Sequence, residues 1–361
     1  MNANCPIEVK PVREVDSHDF DFLCRRLSEL NKSTSDGWPA DQLDAFRQAE
    51  VYRWFTDEAA GGLDWSNRDL TLAYLKLAES CLSSTFILTQ RIAALKRIAL
   101  SKNDLLRESK LPLFLTGQQT ATVGISHLTT SRRHVAQPVM SFQTTEDGIL
   151  LNGFCPWVTG ANDTAGVVVG AEDSNGRQVL AFASTSATGL SVESGFDLIA
   201  LTNTHTGPVR LQNVHVPYDD VLAGPVENVL STMGTHSTGS FQTSALALGL
   251  AASAIGFLEN ESASRTDLEE GAGSLRLQHD RLASTLLEAA SGNPVCTNEE
   301  IRTDANSLVL RATQAAMVAA KGAGFVQGHP VGRWCQEAMF FLVWSCPQAV
   351  RDANLCELAG V

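Results

Sequence analysis

Hydrophobic and polar positions divide the chain into three stretches with different periods. Between about residues 15 and 120, apolar residues recur every three or four positions. The pattern is clearest in LTLAYLKLAESCLSSTFILTQRIAALKRIAL. That spacing predicts amphipathic helices, with a break at Ser83–Ser84. DWSNRDL, just upstream, offers Ser66 or Asn67 as an N-cap, whose side-chain oxygen can take a first-turn N–H. STSDGWPADQ, residues 33–42, reads as a loop broken by Gly37 and Pro39.

From about 121 to 217 the period drops to two. TVGISHL, QPVMSFQTT, GILLNGFCPWV, AGVVVGAE, RQVLAFAST, GLSVES and GPVRLQNVHV are short β-rich runs, and TEDG and DSNG are hairpin turns between two pairs of them. Strands at regular spacing without intervening helices predict an antiparallel barrel or sandwich. From about 237 to 360 the helical period returns. ANSLVLRATQAAMVAAKGAGF has a broad apolar face and a stop at Gly322 and Gly324. SALALGLAASAIGFLEN, residues 244–260, predicts a buried core helix, since it is short for a membrane span and carries Ser244 and Ser253. GAGSLR, residues 271–276, reads as a linker between helices. The expected protein is therefore α+β in three parts: a helical domain over 1–120, a β-domain over 121–225 and a helical bundle over 226–361. The two helical blocks are expected to pack together, with the β unit on one side.

Composition narrows the class. With 361 residues and 44% hydrophobic content, the chain can bury a large core. Its net charge of -13, with no long Lys/Arg run, argues against nucleic-acid binding. No apolar h-region follows the N-terminus, so no secretory signal is expected, and no membrane span either. The eight cysteines are scattered singly with no CxxC pair. Reduced thiols in a cytoplasmic protein are the expectation, with neither a disulfide framework nor a zinc site. GxSxG, GxxxxGK[ST] and a strand-linked GxGxxG are all missing, so any nucleotide cofactor must be held in some other way.

Three segments carry a family resemblance. LLNGFCPWVTGANDTAGVVVGAE resembles the middle of the acyl-CoA dehydrogenase family, where a strand leads to Trp-Ile/Val-Thr/Ser. LTNTHTGPVRLQNVHVPYDDVLAG is similar to that family's Thr-x-x-Val-x-Phe-x-x-Val-x-Val-Pro strand. KGAGFVQGHPVGRWCQEA is similar to its Gly-Gly-x-Gly-Tyr…Pro-Val-Glu-Arg…Arg-Asp-Ala segment. The three occur in the family's order, within a likeness running from about 65 to 355. The resemblance implies an N-terminal helical domain, a central antiparallel β-barrel domain and a C-terminal four-helix bundle. It implies FAD, or FMN, between the β-domain and the bundle, and a homodimer or homotetramer whose partner subunit completes the site.

By the same resemblance, Trp157 offers an aromatic face to the flavin, and Thr159 a hydrogen bond to the ring's polar edge. Ser126, in ATVGISHL, falls near the family's flavin-bonding Thr; alone it reads as a turn hydroxyl. Arg265 falls where the family has an Arg that reaches the FAD pyrophosphate of the neighbouring subunit, although the Gln-Phe-Gly that normally follows is missing. LTTSRRH replaces the family's acyl-CoA-contacting Glu-Pro-Gly-Ala-Gly-Ser-Asp loop. Arg132, Arg133 and His134 there form either a substrate-binding positive patch or an exposed, ion-paired turn. His127 and His134 are proton-transfer candidates or plain polar surface.

The resemblance breaks at the catalytic base. Most of the family removes the substrate α-proton with the Glu of Tyr-Glu-Gly-Thr. Counting from Pro330 puts Trp344 on that Tyr and Ser345 on that Glu, with Cys346 and Pro347 on the Gly-Thr. A minority carries its Glu in an earlier helix; that position falls near Gly239, and no carboxylate is there. A serine without a base beside it abstracts no proton. Asp219, Asp220 and Glu337 are nominal carboxylates whose family equivalents are structural. Three readings follow. The first is a dehydrogenase acting on a CoA- or carrier-bound acyl group with a non-standard base, passing electrons to a transfer partner. The second is a monooxygenase of the same fold using reduced flavin, supplied by a reductase, and O2. The third is a flavin-free, non-catalytic protein.

Overall fold

A computed structural model describes residues 8–33, 37–129, 139–233, 241–293 and 295–361. Five helices come first: α1 (His18–Ser33), α2 (Ala40–Gln48), α3 (Asn67–Ser80), α4 (Leu82–Ala99) and α5 (Asp104–Leu115). Ser66 is the N-cap of α3, its hydroxyl accepting the Asp69 N–H at 3.1 Å. The break after α3 falls at Cys81, which is extended, and not at Ser83–Ser84. Both serines lie buried in the first turn of α4, where the Ser84 hydroxyl donates to the Cys81 carbonyl at 3.3 Å. Hydroxyls that bond locally in this way are at home in a first turn, so they begin the helix instead of ending its predecessor.

The β region holds β1 (Ala121–Gly124), the one-turn α6 (Ser126–Thr129), β2 (Met140–Thr144), β3 (Gly148–Thr159), β4 (Gly166–Glu172), β5 (Gln178–Ser184), β6 (Leu190–Val192), β7 (Thr206–Pro217) and β8 (Val221–Val226). They form one eight-stranded sheet in the order β6-β7-β3-β2-β4-β5-β8, with β1 beside β4. Pairing is mostly antiparallel, but β1 and β2 each run parallel to β4. The two hairpin turns lie where the sequence puts them, between β2 and β3 and between β4 and β5. β8 is an addition to the seven runs read from the pattern. Its Gly224-Pro225 hides the strand period, and it pairs only with β5 at the sheet's edge, where proline is tolerated. β4 is buried on both faces: Val167 and Val169 join a core enclosed by β2, β3, β5 and β7, and Val168 joins the helical core. That double burial is why its sequence is a continuous apolar run and not an alternation.

After α7 (Val229–Thr232), the chain forms α8 (Phe241–Ser262), α9 (Glu269–Ala290), α10 (Asn298–Ala320), α11 (Pro330–Phe340) and α12 (Gln348–Ala359). α8 to α11 pack as a four-helix bundle. GAGSLR lies inside α9 and is not a linker. Its two glycines are open to solvent, so each costs only about 1 kcal/mol of helix propensity. A two-pronged Arg276–Glu259 pair, at 2.7 and 2.8 Å, ties that part of α9 to α8. α8 is the one described helix long and apolar enough to cross a membrane, and it is enclosed by α3, α9 and α10. One continuous hydrophobic cluster joins α3 and α4 to α8 and α10.

Close helix approach depends on Gly249 in α8. A Cβ there would meet the Leu75 carbonyl of α3 at 2.3 Å, whereas one at Gly256 of the same helix would meet nothing within 4 Å. Gly249→Ala is expected to destabilise the protein by about 1–3 kcal/mol in urea unfolding. Gly256→Ala is expected to stabilise it by about 0.5–1 kcal/mol. Equal effects at the two positions would contradict this packing.

Candidate functional site

Two separate segments reach the first turns of α4, the turn before β7 through Asn203 and the loop after α11 through Trp344. On the sheet side, Trp157 and Thr159 share one face of β3, while Val158 between them points into the sheet's own core. The Thr159 hydroxyl lies 2.9 Å from that of Thr206, which lies 2.9 Å from that of Thr204. Thr204 donates to the Leu201 carbonyl at 2.7 Å. These threonines are buried, and the tight turn that carries Thr204 is bounded by Leu201 and His205, both left-handed. Next along, Asn203 donates to the Ser83 hydroxyl at 3.0 Å and so fastens this turn to α4. Gly160 follows Thr159 at φ +60, and a Cβ there would come within 2.4 Å of the Trp38 ring, so the position requires glycine. Trp157 is 53% exposed and its ring centroid lies 4.7 Å from that of Phe196, itself 40% exposed. The result is an open aromatic surface on the same sheet face as a buried line of hydroxyls.

A second set of contacts to α4 comes from the C-terminal helices. Phe86, one turn further along α4, meets Phe340 and Trp344 edge-on at 4.9 and 5.0 Å. Trp344 in turn stacks on Phe340 at 5.2 Å. Ser345 comes next, in a left-handed turn at φ +46 between α11 and α12. The loop is clamped from behind. Arg302 Nη2 donates to the carbonyls of Phe341 and Trp344, both at 3.0 Å, and Asn306 donates to Phe341 at 3.1 Å. Arg302 is 1% exposed, with no carboxylate among its described partners, and burial pushes its guanidinium down to about 10, still charged at neutral pH. Burial raises the Cys346 thiol although Arg302 acts to lower it. Cys346 is thus a neutral thiol near pH 7, not a ready nucleophile.

Among the nominal carboxylates, Asp220 pairs with Lys110 at 3.4 Å, and Asn103 binds the carbonyls of Tyr218 and Asp219 at 3.0 Å each. Both aspartates thus belong to a turn fastened to α5. Glu337 differs. It is 5% exposed, its one ion pair among the described residues is with Arg333 at 3.6 Å, and burial outweighs that pair to push its carboxyl up to about 7. Arg333 donates to the Asn31 carbonyl at 3.5 Å, and the Asn31 amide donates to the Ser80 carbonyl at 3.1 Å, just before α4. A carboxyl that titrates near neutrality suits proton transfer. Its burial, which no local pattern reveals, is what distinguishes it.

Ser126 opens α6 directly after β1, and the Cys155 thiol donates to the Gly124 carbonyl at 3.2 Å, which brings Ser126 alongside the Trp157 strand. His127 has one ring nitrogen 2.8 Å from the Gly170 carbonyl, and burial lowers its pKa, so it is neutral at pH 7. Arg265 sits apart from this group. It donates to the Ala319 carbonyl at 2.7 Å at the end of α10 and pairs with Glu261 at 3.5 Å and Asp267 at 3.8 Å. Arg132, Arg133, His134 and Gly239 lie outside the described residues. Among the described residues no cluster of three or more His, Cys, Asp or Glu is arranged to hold a metal. A broad groove of about 1220 Å³ lies elsewhere, along α2 and α5, and none of these site residues lines it. The open Trp157–Phe196 face suits the stacking of a flat ring, and the buried Thr159 hydroxyl lies on the same face of β3.

The Glu337 carboxyl has a consequence for stability. Because folding raises its pKa from 4.5 to about 7, its protonated form stabilises the fold below about pH 4.5, and that contribution is lost as pH rises through about 7. The shift corresponds to about 3 kcal/mol. Glu337→Gln is therefore expected to gain about 3 kcal/mol relative to the parent between pH 4.5 and 8 in urea unfolding. A difference that does not change with pH would contradict the buried carboxyl.

Comparisons with known proteins bear on this arrangement. The sequence matches no family model. It is 26% identical over 114 residues to a probable acyl-CoA dehydrogenase, YngJ, of Bacillus subtilis (strain 168); the match spans 30% of each chain. The fold superposes on a glutaryl-coenzyme A dehydrogenase in complex with glutaryl-CoA, with TM-score 0.80, 14% identity and 96% of each chain covered. It also superposes on the dibenzothiophene monooxygenase TdsC from Paenibacillus sp. A11-2, with TM-score 0.74 and 17% identity, covering 96% of this chain and 98% of that one. TdsC is also known with FMN and indole bound. The chain has the acyl-CoA dehydrogenase fold.

Proposed function

We propose that this protein is a flavin-dependent oxidoreductase that works without a carboxylate at position 345. Trp157 and Phe196 would hold the flavin ring, with Thr159 and Ser126 at its polar edge. The flavin supplies the two-electron chemistry when bound; the chain positions the ring and encloses the reacting partner. The observation that carries this reading is the aromatic face and hydroxyl edge, joined through the first turns of α4 to the Ser345 loop. FMN suits the site as well as FAD, since Arg265 is committed to the end of α10 within its own chain. A homodimer or homotetramer completes the reading.

The geometry favours oxygenation, with reduced flavin and O2 acting on a small molecule and a flavin reductase as the electron source. Ser345 stands where an α-proton base would be needed, in a loop whose carbonyls are clamped by Arg302. Oxygenation by reduced flavin needs no such base, and TdsC is a monooxygenase of this fold. One observation favours a second reading, dehydrogenation of a CoA- or carrier-bound acyl thioester with electrons passed to a transfer protein. In that reaction the Glu337 carboxyl, held near 7, would take the α-proton.

Purified protein is expected to take up FMN or FAD, measured by visible absorbance; no uptake of either would remove both readings. Substrate-dependent O2 consumption with reduced flavin supports oxygenation, and anaerobic bleaching by an acyl thioester supports dehydrogenation. In the second case Ser345→Glu is expected to speed bleaching by at least about tenfold, with about 10²–10⁴-fold the full contribution of a well-positioned base. A bound thioester with no faster bleaching would count against position 345 as the empty base position.

A further inference from the structure

The direction of the hydroxyl line has a chemical meaning. A threonine hydroxyl has one proton to give and lone pairs to receive. Thr204 gives its proton to the Leu201 carbonyl at 2.7 Å. Thr206, 2.9 Å from Thr204, must then give its own to the Thr204 oxygen. Thr159, 2.9 Å from Thr206, must likewise give its proton inward. Reversing the line would require Thr204 to let go of the Leu201 carbonyl, which would keep only the Thr204 backbone N–H at 3.0 Å. In the favoured direction Thr159 can only accept from a ligand. The three hydroxyls are buried, so water does not readily take over their protons.

We infer that the Thr204–Thr206–Thr159 line sets the site to accept a hydrogen bond and thereby to prefer flavin in its reduced form. The inference rests on the flavin reading above. An oxidised isoalloxazine presents acceptors at N5 and at the neighbouring carbonyl, which meet an acceptor-only Thr159 badly. The reduced ring carries a hydrogen on N5 and can donate to it. Thr206 and Thr204 are positioning residues: they touch Thr159 and act through it. The preference fits a protein that receives reduced flavin from a separate reductase, and it runs against one that starts its cycle with oxidised flavin.

The test compares the binding of oxidised and chemically reduced FMN and FAD under anaerobic conditions, with the midpoint potential of the bound flavin as a second readout. The parent protein is expected to bind the reduced form more tightly. Thr206→Val keeps the shape but removes the acceptor of the Thr159 proton, which then turns outward. The ratio of oxidised to reduced dissociation constants is expected to fall about tenfold, lowering the bound potential by about 30 mV for a two-electron couple. Thr206→Ser keeps the line and is expected to retain the parent ratio. Flavin binding with the same ratio in the parent and in Thr206→Val overturns the inference and leaves the flavin reading standing. Tighter binding of the oxidised form by the parent also overturns it. Failure of the parent to bind flavin in either state overturns both.

Discussion

The candidate site depends on the burial of α4 around nearly its whole circumference. Ser83, Ser84, Phe86 and most of the helix are enclosed, so its first turns meet other elements and not solvent. A surface helix could not link a turn of the sheet to a loop of the C-terminal helices. Here Ser83 takes Asn203 from the sheet, and Phe86 receives Phe340 and Trp344 from the bundle. Both contacts are fixed to one rigid rod, which sets the aromatic and hydroxyl face of β3 relative to the Ser345 loop.

The loop that carries Ser345 is shaped by its surroundings. The loop is held by a buried guanidinium whose Nε and Nη1 have no partner among the described residues. Burying a charge without a counter-ion is costly, so the two carbonyl bonds from Arg302 recover part of that cost and make the loop rigid. A hydroxyl on a rigid loop beside a neutral thiol is not proton-abstracting machinery. The carboxyl that does titrate near neutrality, Glu337, lies one helical turn before Phe341 and is linked through Arg333 and Asn31 to the end of α3. The oxygenation reading needs neither group to act as a base at Ser345.

Much of the fold was legible because it rests on period. The helical spacing of residues 70–100, the hairpin turns TEDG and DSNG and the buried α8 all follow from local pattern. What escaped depends on partners far away in sequence. The α3–α4 break moved to Cys81 because buried serines bond within the first turn of α4. GAGSLR became helix because Arg276 grips Glu259 across α8 and α9. β8 was hidden because an edge strand tolerates glycine and proline. At the candidate site, motif order singles out Trp157, Thr159 and Ser345 as residues of interest. The direction of the hydroxyl line, the clamp from Arg302 and the raised Glu337 could not be read in this way. Each is a product of burial and of contacts between separated segments, such as Thr159 and Thr206, 47 positions apart.

The proposed function stands or falls with a flavin ring resting on the Trp157 face of β3. Trp157 is more than half exposed, so its truncation leaves the core intact. The most direct measurement is a titration of Trp157→Ala with reduced FMN beside the parent protein, with thermal unfolding as a check on folding. Trp157→Ala is expected to lose affinity by at least about tenfold, on the scale of one aromatic stacking contact, with the unfolding temperature unchanged. Equal affinity in a folded variant would contradict it.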